Sequence, residues 1–280
     1  MTDPPVAVIT GTTHGIGTVT SHELARAGYK VVMLCRNAEA AATLAARIGA
    51  HSPGRAEVVR CDLSSLASVR TAARAVLERH PRIDRLINNA GTVSTWHRFS
   101  VDGHELTFAT NYLGPFLLTR LLLPALAPQA RIINVSSKVH YRGRLDLDSV
   151  DNPKAGYSGV AAYSRSKLAN VLDTFALARR LAGSGITANC LHPGVVATNL
   201  LPGWLNLVRP LFRRMILTPE QGARTTLYLA LDDRAGALQG EYLDEHQQVQ
   251  PAHRAAHDLL LQEQLLTRSA RWTGLNQASA

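Results

Sequence analysis

A tyrosine and a lysine stand four residues apart in the run Ala162-Tyr163-Ser164-Arg165-Ser166-Lys167. On a helix that spacing puts both side chains on one face, one turn apart. An ordinary phenol ionises near ~10, too high for acid–base work at neutral pH, and a cation within reach draws that value down. The pair is therefore a candidate proton donor and acceptor. The same spacing also fits a solvated helix face, so the rest of the chain has to decide between the two readings.

The elements that would carry the pair follow from the apolar pattern. Short apolar runs at Val6–Thr10, Lys30–Cys35, Glu57–Cys61, Arg85–Asn88, Arg131–Ser136, Ile186–Leu191 and Glu241–Leu243 read as strands. Between them, Gly15–Gly28, Glu39–Ile48, a stretch opening near Ser64 or Ser65, Leu106–Leu123, Ala161–Ala182 and Thr218–Leu231 read as helices. Strands that are apolar throughout, alternating with helices, predict an α/β fold: a doubly wound, mostly parallel sheet of Rossmann type with helices on both faces. No linker or fixed-period repeat divides the chain, so residues 1–280 are expected to form one domain, with 251–280 as a C-terminal extension.

Composition bounds the function. The 280 residues are 46% hydrophobic, enough for a sizeable core, and no apolar run reaches the ~18 residues of a membrane span. The N-terminus has no signal-peptide pattern and starts almost directly at the first strand, which predicts a cytoplasmic protein with no integral membrane segment. Cys35, Cys61 and Cys190 show no paired or metal-ligand spacing and read as reduced core thiols. His253 and His257 sit at helical spacing with no third ligand nearby, so no metal is expected and both read as surface residues of a C-terminal helix. The net charge of +9 comes from scattered arginines without a basic tail or aromatic interleaving, which argues against nucleic acid as a partner.

The first strand runs into Thr10-Gly11-Thr12-Thr13-His14-Gly15-Ile16-Gly17 and then a helix. Glycines there let the backbone turn tightly and approach a ligand, and a helix start offers free N–H groups to a pyrophosphate. At the end of the second strand, where a carboxylate would bond a ribose 2′-hydroxyl, the chain has Cys35-Arg36-Asn37. A guanidinium in that place favours a 2′-phosphate, so NADP(H) is the preferred cofactor, with His14 as a second donor and NAD(H) as the alternative.

These residues together resemble the short-chain dehydrogenases/reductases over nearly the whole chain. The glycine loop with Gly11, Thr13, His14, Gly15, Ile16 and Gly17 is similar to the family's cofactor loop; Asp62-Leu63 to its adenine-binding acid; Asn88-Asn89-Ala90-Gly91 to its motif after the fourth strand. Asn111, Ser137, Tyr163 and Lys167 match the catalytic set, and Pro193-Gly194-Val195-Val196-Ala197-Thr198 the loop that meets the nicotinamide. Cys35-Arg36-Asn37, Ser166-Lys167-Leu168-Ala169-Asn170 and His192-Pro193-Gly194-Val195-Val196 resemble the retinol dehydrogenase-type branch, of which this would be a soluble member.

The resemblance implies hydride transfer between nicotinamide and a carbonyl or alcohol carbon. Tyr163 would exchange the proton, Lys167 lower its pKa and hold the nicotinamide ribose, Ser137 steady the reacting oxygen, and Asn111 hold a water connecting Lys167 to solvent. Residues 195–217, with Trp204, read as a substrate lid favouring a bulky apolar or aromatic carbonyl or alcohol, and Tyr141 and Tyr157 are available for the opposite wall. The helices at Leu106–Leu123 and Ala161–Ala182 are where related proteins pair, so a homodimer or homotetramer is the assembly implied. A different class of reading, a catalytically silent NADP(H)-binding sensor on the same fold, leaves the complete set Asn111, Ser137, Tyr163 and Lys167 without a purpose.

Overall fold

The computed structural model describes residues 3–52, 54–151, 156–196 and 217–276. Among them, seven strands form one all-parallel sheet: β1 (Val6–Thr10), β2 (Lys30–Cys35), β3 (Ala56–Arg60), β4 (Ile83–Asn88), β5 (Leu126–Val135), β6 (Thr187–Leu191) and β7 (Tyr242–Leu243). Their order across the sheet is β3-β2-β1-β4-β5-β6-β7, so the chain reverses direction between β3 and β4. In an open α/β sheet the crevice at such a reversal, outside the carboxyl ends of the strands, is where a ligand binds.

The continuous apolar strands are explained by burial on both faces. In β1, Val6 and Val8 join one core cluster and Ala7 and Ile9 the other. Helices α3 (Leu66–Arg79) and α5 (Gly114–Leu122) cover the first face; α1 (Gly15–Arg26), α2 (Ala38–His51) and α7 (Pro219–Leu231) cover the second. Caps mark where these helices start: Ser65 accepts from Ser68 N at 3.3 Å, and Thr218 and Gln221 form a reciprocal capping box. Cys35, Cys61 and Cys190 are buried free thiols.

One sequence expectation changes shape. The long helix expected over Leu106–Leu123 is α4 (Leu106–Phe108), a π turn at Ala109–Leu113 and then α5. Pro115 has no N–H to give to the carbonyl of Asn111 four residues back, and its ring crowds that carbonyl. The helix closes around the gap with Gly114 N–H donating to the Ala109 carbonyl, one residue wider than an α turn.

The helix α6 (Gly159–Arg180), which carries Tyr163 and Lys167, is fastened to the sheet by polar contacts inside the core. Asn88 Nδ2 donates to Thr119 Oγ1 (3.0 Å) and Asn134 Oδ1 (2.8 Å), and Asn134 Nδ2 donates to Thr174 Oγ1 (2.8 Å). A buried ion pair between Arg120 and Asp173 ties α5 to α6.

The last helix, α8 (Leu259–Thr273), lies on α6 and the π turn. Leu265 and Leu266 join the cluster of Phe108, Tyr112, Phe116, Leu168 and Leu172, and the Tyr112 hydroxyl meets Ser269 Oγ at 2.8 Å. The last helix of the chain thus packs on the same helix pair that was expected to meet a second copy. His253 and His257 precede α8, in a 3₁₀ turn at Arg254–His257 that His253 caps through its own ring nitrogen. Among the described residues no helix is long and apolar enough to cross a membrane.

Candidate active site

The residues singled out in the sequence gather at the carboxyl ends of β1, β4, β5 and β6, around the reversal point. The glycine loop is held by Asn89, whose Nδ2 donates to the carbonyls of Thr10 (2.9 Å) and Gly11 (3.0 Å). Thr10 Oγ1 in return accepts from the N–H groups of Asn89 and Ala90, each at 3.0 Å. Gly11 has a φ of +72°, and a Cβ there would lie 2.7 Å from Ala90 Cα; one at Gly17 would lie 2.1 Å from the Gly11 carbonyl oxygen. Only glycine fits at either place. The helix α1 starts directly after, with no side-chain cap at His14 and no acid in its first turn, so its N–H groups are free for an anion.

Tyr163 and Lys167 lie on one face of α6, with Lys167 Nζ 5.6 Å from the centre of the Tyr163 ring. Lys167 is buried, and its ammonium donates to the Val135 carbonyl at 2.8 Å. Burial in this low-dielectric place brings the amine down to about 8. Burial also pushes the Tyr163 phenol up, and the Ser137 hydroxyl beside it works the other way by hydrogen-bonding the charged form. Ser137 and the ammonium of Lys167, 5.6 Å from the ring, are the groups beside the phenol.

Ser137 stands at the end of β5, as the cap of a 3₁₀ turn at Lys138–Arg142. Its carbonyl accepts from the backbone N–H of His140 (3.0 Å) and from the ring at Nδ1 (2.8 Å), and its hydroxyl accepts from Val139 N–H (3.4 Å) beside the Tyr163 phenol.

Asn111 sits in the π turn, buried. Its Oδ1 accepts from Thr92 N at 2.7 Å, and its Nδ2 donates to the Thr92 carbonyl (2.9 Å) and to Ser166 Oγ (3.0 Å). Ser166 passes the link on, donating to the Tyr163 carbonyl at 2.8 Å. The side chain joins the loop after β4 to α6. The fourth-strand motif comes closest at Gly91: a Cβ there would lie 3.5 Å from Lys167 Nζ and 3.8 Å from Asn111 Oδ1.

Other expected site residues are placed as follows. Arg36 is exposed at the end of β2, in no ion pair among the described residues, and Arg60 is exposed at the neighbouring end of β3. Asn37 caps α2, accepting from Ala40 N at 3.0 Å. His14 Nδ1 meets Thr13 Oγ1 at 2.8 Å. Asp62 Oδ1 accepts from Ser64 N (2.9 Å) and Ser64 Oγ (2.7 Å), and Leu63 is buried in the core. Pro193, Gly194 and Val196 form a turn in which Val196 packs with Ile16 of the glycine loop. Thr198 and Trp204 lie outside the described residues, as does the expected lid apart from Val195, Val196 and Leu217. Tyr141, with its ring exposed, donates to the Pro251 carbonyl, and the Tyr157 hydroxyl donates to the Ser94 carbonyl at 2.9 Å with its ring stacked on His97.

The sequence reading missed Thr92, and quoted Thr10 and Ser166 as motif members without the contacts they make. Ser166 carried a faint signal, three residues after Tyr163 on the same helix face. Nothing in the spacing shows that a serine on α6 meets an asparagine on a different helix.

The geometry fits a dinucleotide: a glycine cradle that any Cβ would block, an uncapped helix start, and a glycine opening onto a buried lysine. Comparison with known proteins agrees. The family model for short chain dehydrogenase matches residues 5–205. The chain is 44% identical to dehydrogenase/reductase SDR family member 13 of Bos taurus, over 90% of this chain and 70% of that protein. It is 39% identical to retinol dehydrogenase 13 of Homo sapiens, over 97% of this chain and 85% of that protein. Among solved structures, a Mycobacterium paratuberculosis protein superposes with a TM-score of 0.79 at 36% identity, covering 98% of this chain and 97% of that one. A blue fluorescent protein from a metagenomic library, solved with NADPH, gives 0.70 at 28% identity over 86% of this chain and 95% of that one. The chain belongs to the short-chain dehydrogenase family, in its retinol dehydrogenase-like branch, and is a nicotinamide-dependent oxidoreductase.

Proposed function

We propose that the protein uses NADP(H) to interconvert an alcohol and a carbonyl on a bulky apolar or aromatic substrate. The observation that carries this reading is the convergence on Gly91 of Lys167 Nζ and Asn111 Oδ1, with the phenol of Tyr163 and the hydroxyl of Ser137 beside one another on the same side. Bound nicotinamide supplies or accepts the hydride. Tyr163 gives its proton to the carbonyl oxygen in reduction and takes one from the hydroxyl in oxidation. Ser137 donates to the same oxygen and offsets the charge that develops there. Lys167, charged below about 8, would hold the ribose and, as a cation beside the phenol, would favour the phenolate. Asn111 keeps the loop carrying Gly91 at its distance from α6.

The preference for NADP(H) rests on Arg36, exposed with Arg60 next to it and no carboxylate at the end of β2. The retinol dehydrogenases among the relatives make long apolar alcohols and aldehydes the first substrates to try. The test is Tyr163→Phe assayed for NADPH oxidation against aliphatic, aromatic and polyene carbonyls. Turnover is expected to fall at least about 1,000-fold with NADPH binding retained; activity at the wild-type level in that variant refutes the assignment.

A further inference from the structure

The turn at Pro193–Gly194 follows directly on a buried histidine whose two ring nitrogens are both engaged away from the cleft. His192 Nε2 lies 2.6 Å from Glu245 Oε2, and Nδ1 lies 2.7 Å from the Tyr242 hydroxyl. The consistent assignment has Nε2–H donating to the carboxylate and the phenol donating to Nδ1. The imidazole also stacks on the Tyr242 ring, with centroids 5.5 Å apart and planes at 24°, and His192 is only 4% exposed. Its backbone N–H donates to the Leu243 carbonyl at 2.9 Å.

The partners of His192 touch the turn themselves. Gly194 has a φ of +78°, and a Cβ there would lie 2.6 Å from Leu217 Cδ1 and 3.3 Å from Glu245 Cβ. Glu245 therefore holds the imidazole with its carboxylate and lies against Gly194 with its stem. One side of the turn is fixed to the serine strand by Ser136 N–H donating to the Leu191 carbonyl at 2.7 Å. The other side reaches the glycine loop through Val196, which packs with Ile16. The turn thus spans the gap between the oxygen-binding serine and the pyrophosphate loop, where the nicotinamide must lie if the reading above is right.

We infer that His192, clamped between Glu245 and Tyr242, is a positioning residue that holds the Pro193–Gly194 turn in place for the nicotinamide end of the cofactor. This rests on the nicotinamide reading and extends it to three side chains that touch neither substrate nor reacting atoms. The clamp is a stack plus two hydrogen bonds in a buried place, and the alignment of a hydride donor is sensitive to shifts of about 1 Å. Losing the imidazole leaves a carboxylate and a phenol without their partner beside the turn.

The experiment measures NADPH affinity by energy transfer from protein fluorescence to the bound dihydronicotinamide, and Tm without cofactor, on the full chain. His192→Ala and Glu245→Ala are expected to weaken NADPH binding about tenfold, with Tyr242→Phe in between. Glu245→Gln, which keeps an acceptor for the imidazole, is expected to restore affinity to within about threefold of wild type. Val76→Ala, which removes methyl groups from the buried face of α3, serves as the comparison for a purely structural loss: its Tm falls and its NADPH affinity does not. Should His192→Ala fail to fold, Glu245→Ala carries the test, since Glu245 is partly exposed. Affinity within twofold of wild type in Glu245→Ala and Tyr242→Phe overturns the positioning role while leaving the nicotinamide reading intact. A wild-type protein that binds neither NADPH nor NADH overturns that reading and this one with it.

Discussion

At the scale of residues, the site is built from groups that burial has pushed toward neutrality. The amine of Lys167 is brought down to about 8, within the neutral-to-mildly-alkaline range. Carbon-detected NMR of labelled lysines is expected to show one midpoint near 8, absent from Lys167→Met. Arg36 governs a different property. Arg36→Ala is expected to raise the KM for NADPH by about 10- to 100-fold with little change for NADH, the loss of one charge-assisted contact; equal effects on both cofactors refute its role in 2′-phosphate recognition. Burial brings His140 down to about 4. Its Nδ1 is bonded to the Ser137 carbonyl, and its Nε2 accepts from His253 N–H at 3.2 Å. The unfolded imidazole takes its proton below about 6.5, whereas the folded one resists until about 4. The unfolded state thus binds more protons in that window, so this contribution is whole above 6.5 and is lost as pH falls toward 4, by about 1.4 kcal/mol per unit. Urea midpoints at pH 7, 6 and 5 are expected to fall more steeply for wild type than for His140→Gln.

At the scale of elements, the π turn is the feature with the most consequence. It exists because Pro115 denies the Asn111 carbonyl its donor, and it brings the Asn111 side chain to Thr92 and Ser166. Pro115→Ala supplies the missing N–H. It is expected to raise Tm by a few degrees while lowering kcat by about 10- to 100-fold, since regular winding would draw Asn111 off its partners. A variant both more stable and fully active would show that the wide turn has no catalytic purpose. The same element marks how far the sequence could be read. The strand at Lys30–Cys35 was legible to the residue, because β-branched runs closed by glycine and by a polar loop leave little choice. The glycine loop and Tyr163–Lys167 were legible because their chemistry is local. Asn111 was legible as a motif member, but not as a clamp, since its partners lie 19 and 55 residues away. Tyr141 and Tyr157 were visible only as available aromatics; that their hydroxyls reach the Pro251 and Ser94 carbonyls depends on contacts 110 and 63 residues apart.

At the scale of the whole molecule, α8 packs on the same helix pair that the sequence reading expected to meet a second copy. Chain cut before Asp258 would uncover Phe108, Tyr112 and Leu172, which pack with Leu265 and Leu266. Such a truncation is expected to lose several degrees of Tm and to self-associate in sedimentation velocity more than the full chain does.

That cover has a consequence for how the protein behaves on dilution. A helix on the same chain is present at an effective concentration on the order of millimolar, however little protein there is. The π turn holding Asn111 is backed by Ser269 through Tyr112, so its support comes from within the molecule. Specific activity is therefore expected to stay constant from micromolar down to the lowest assayable concentration, as it would not for a site braced by a dissociable neighbour.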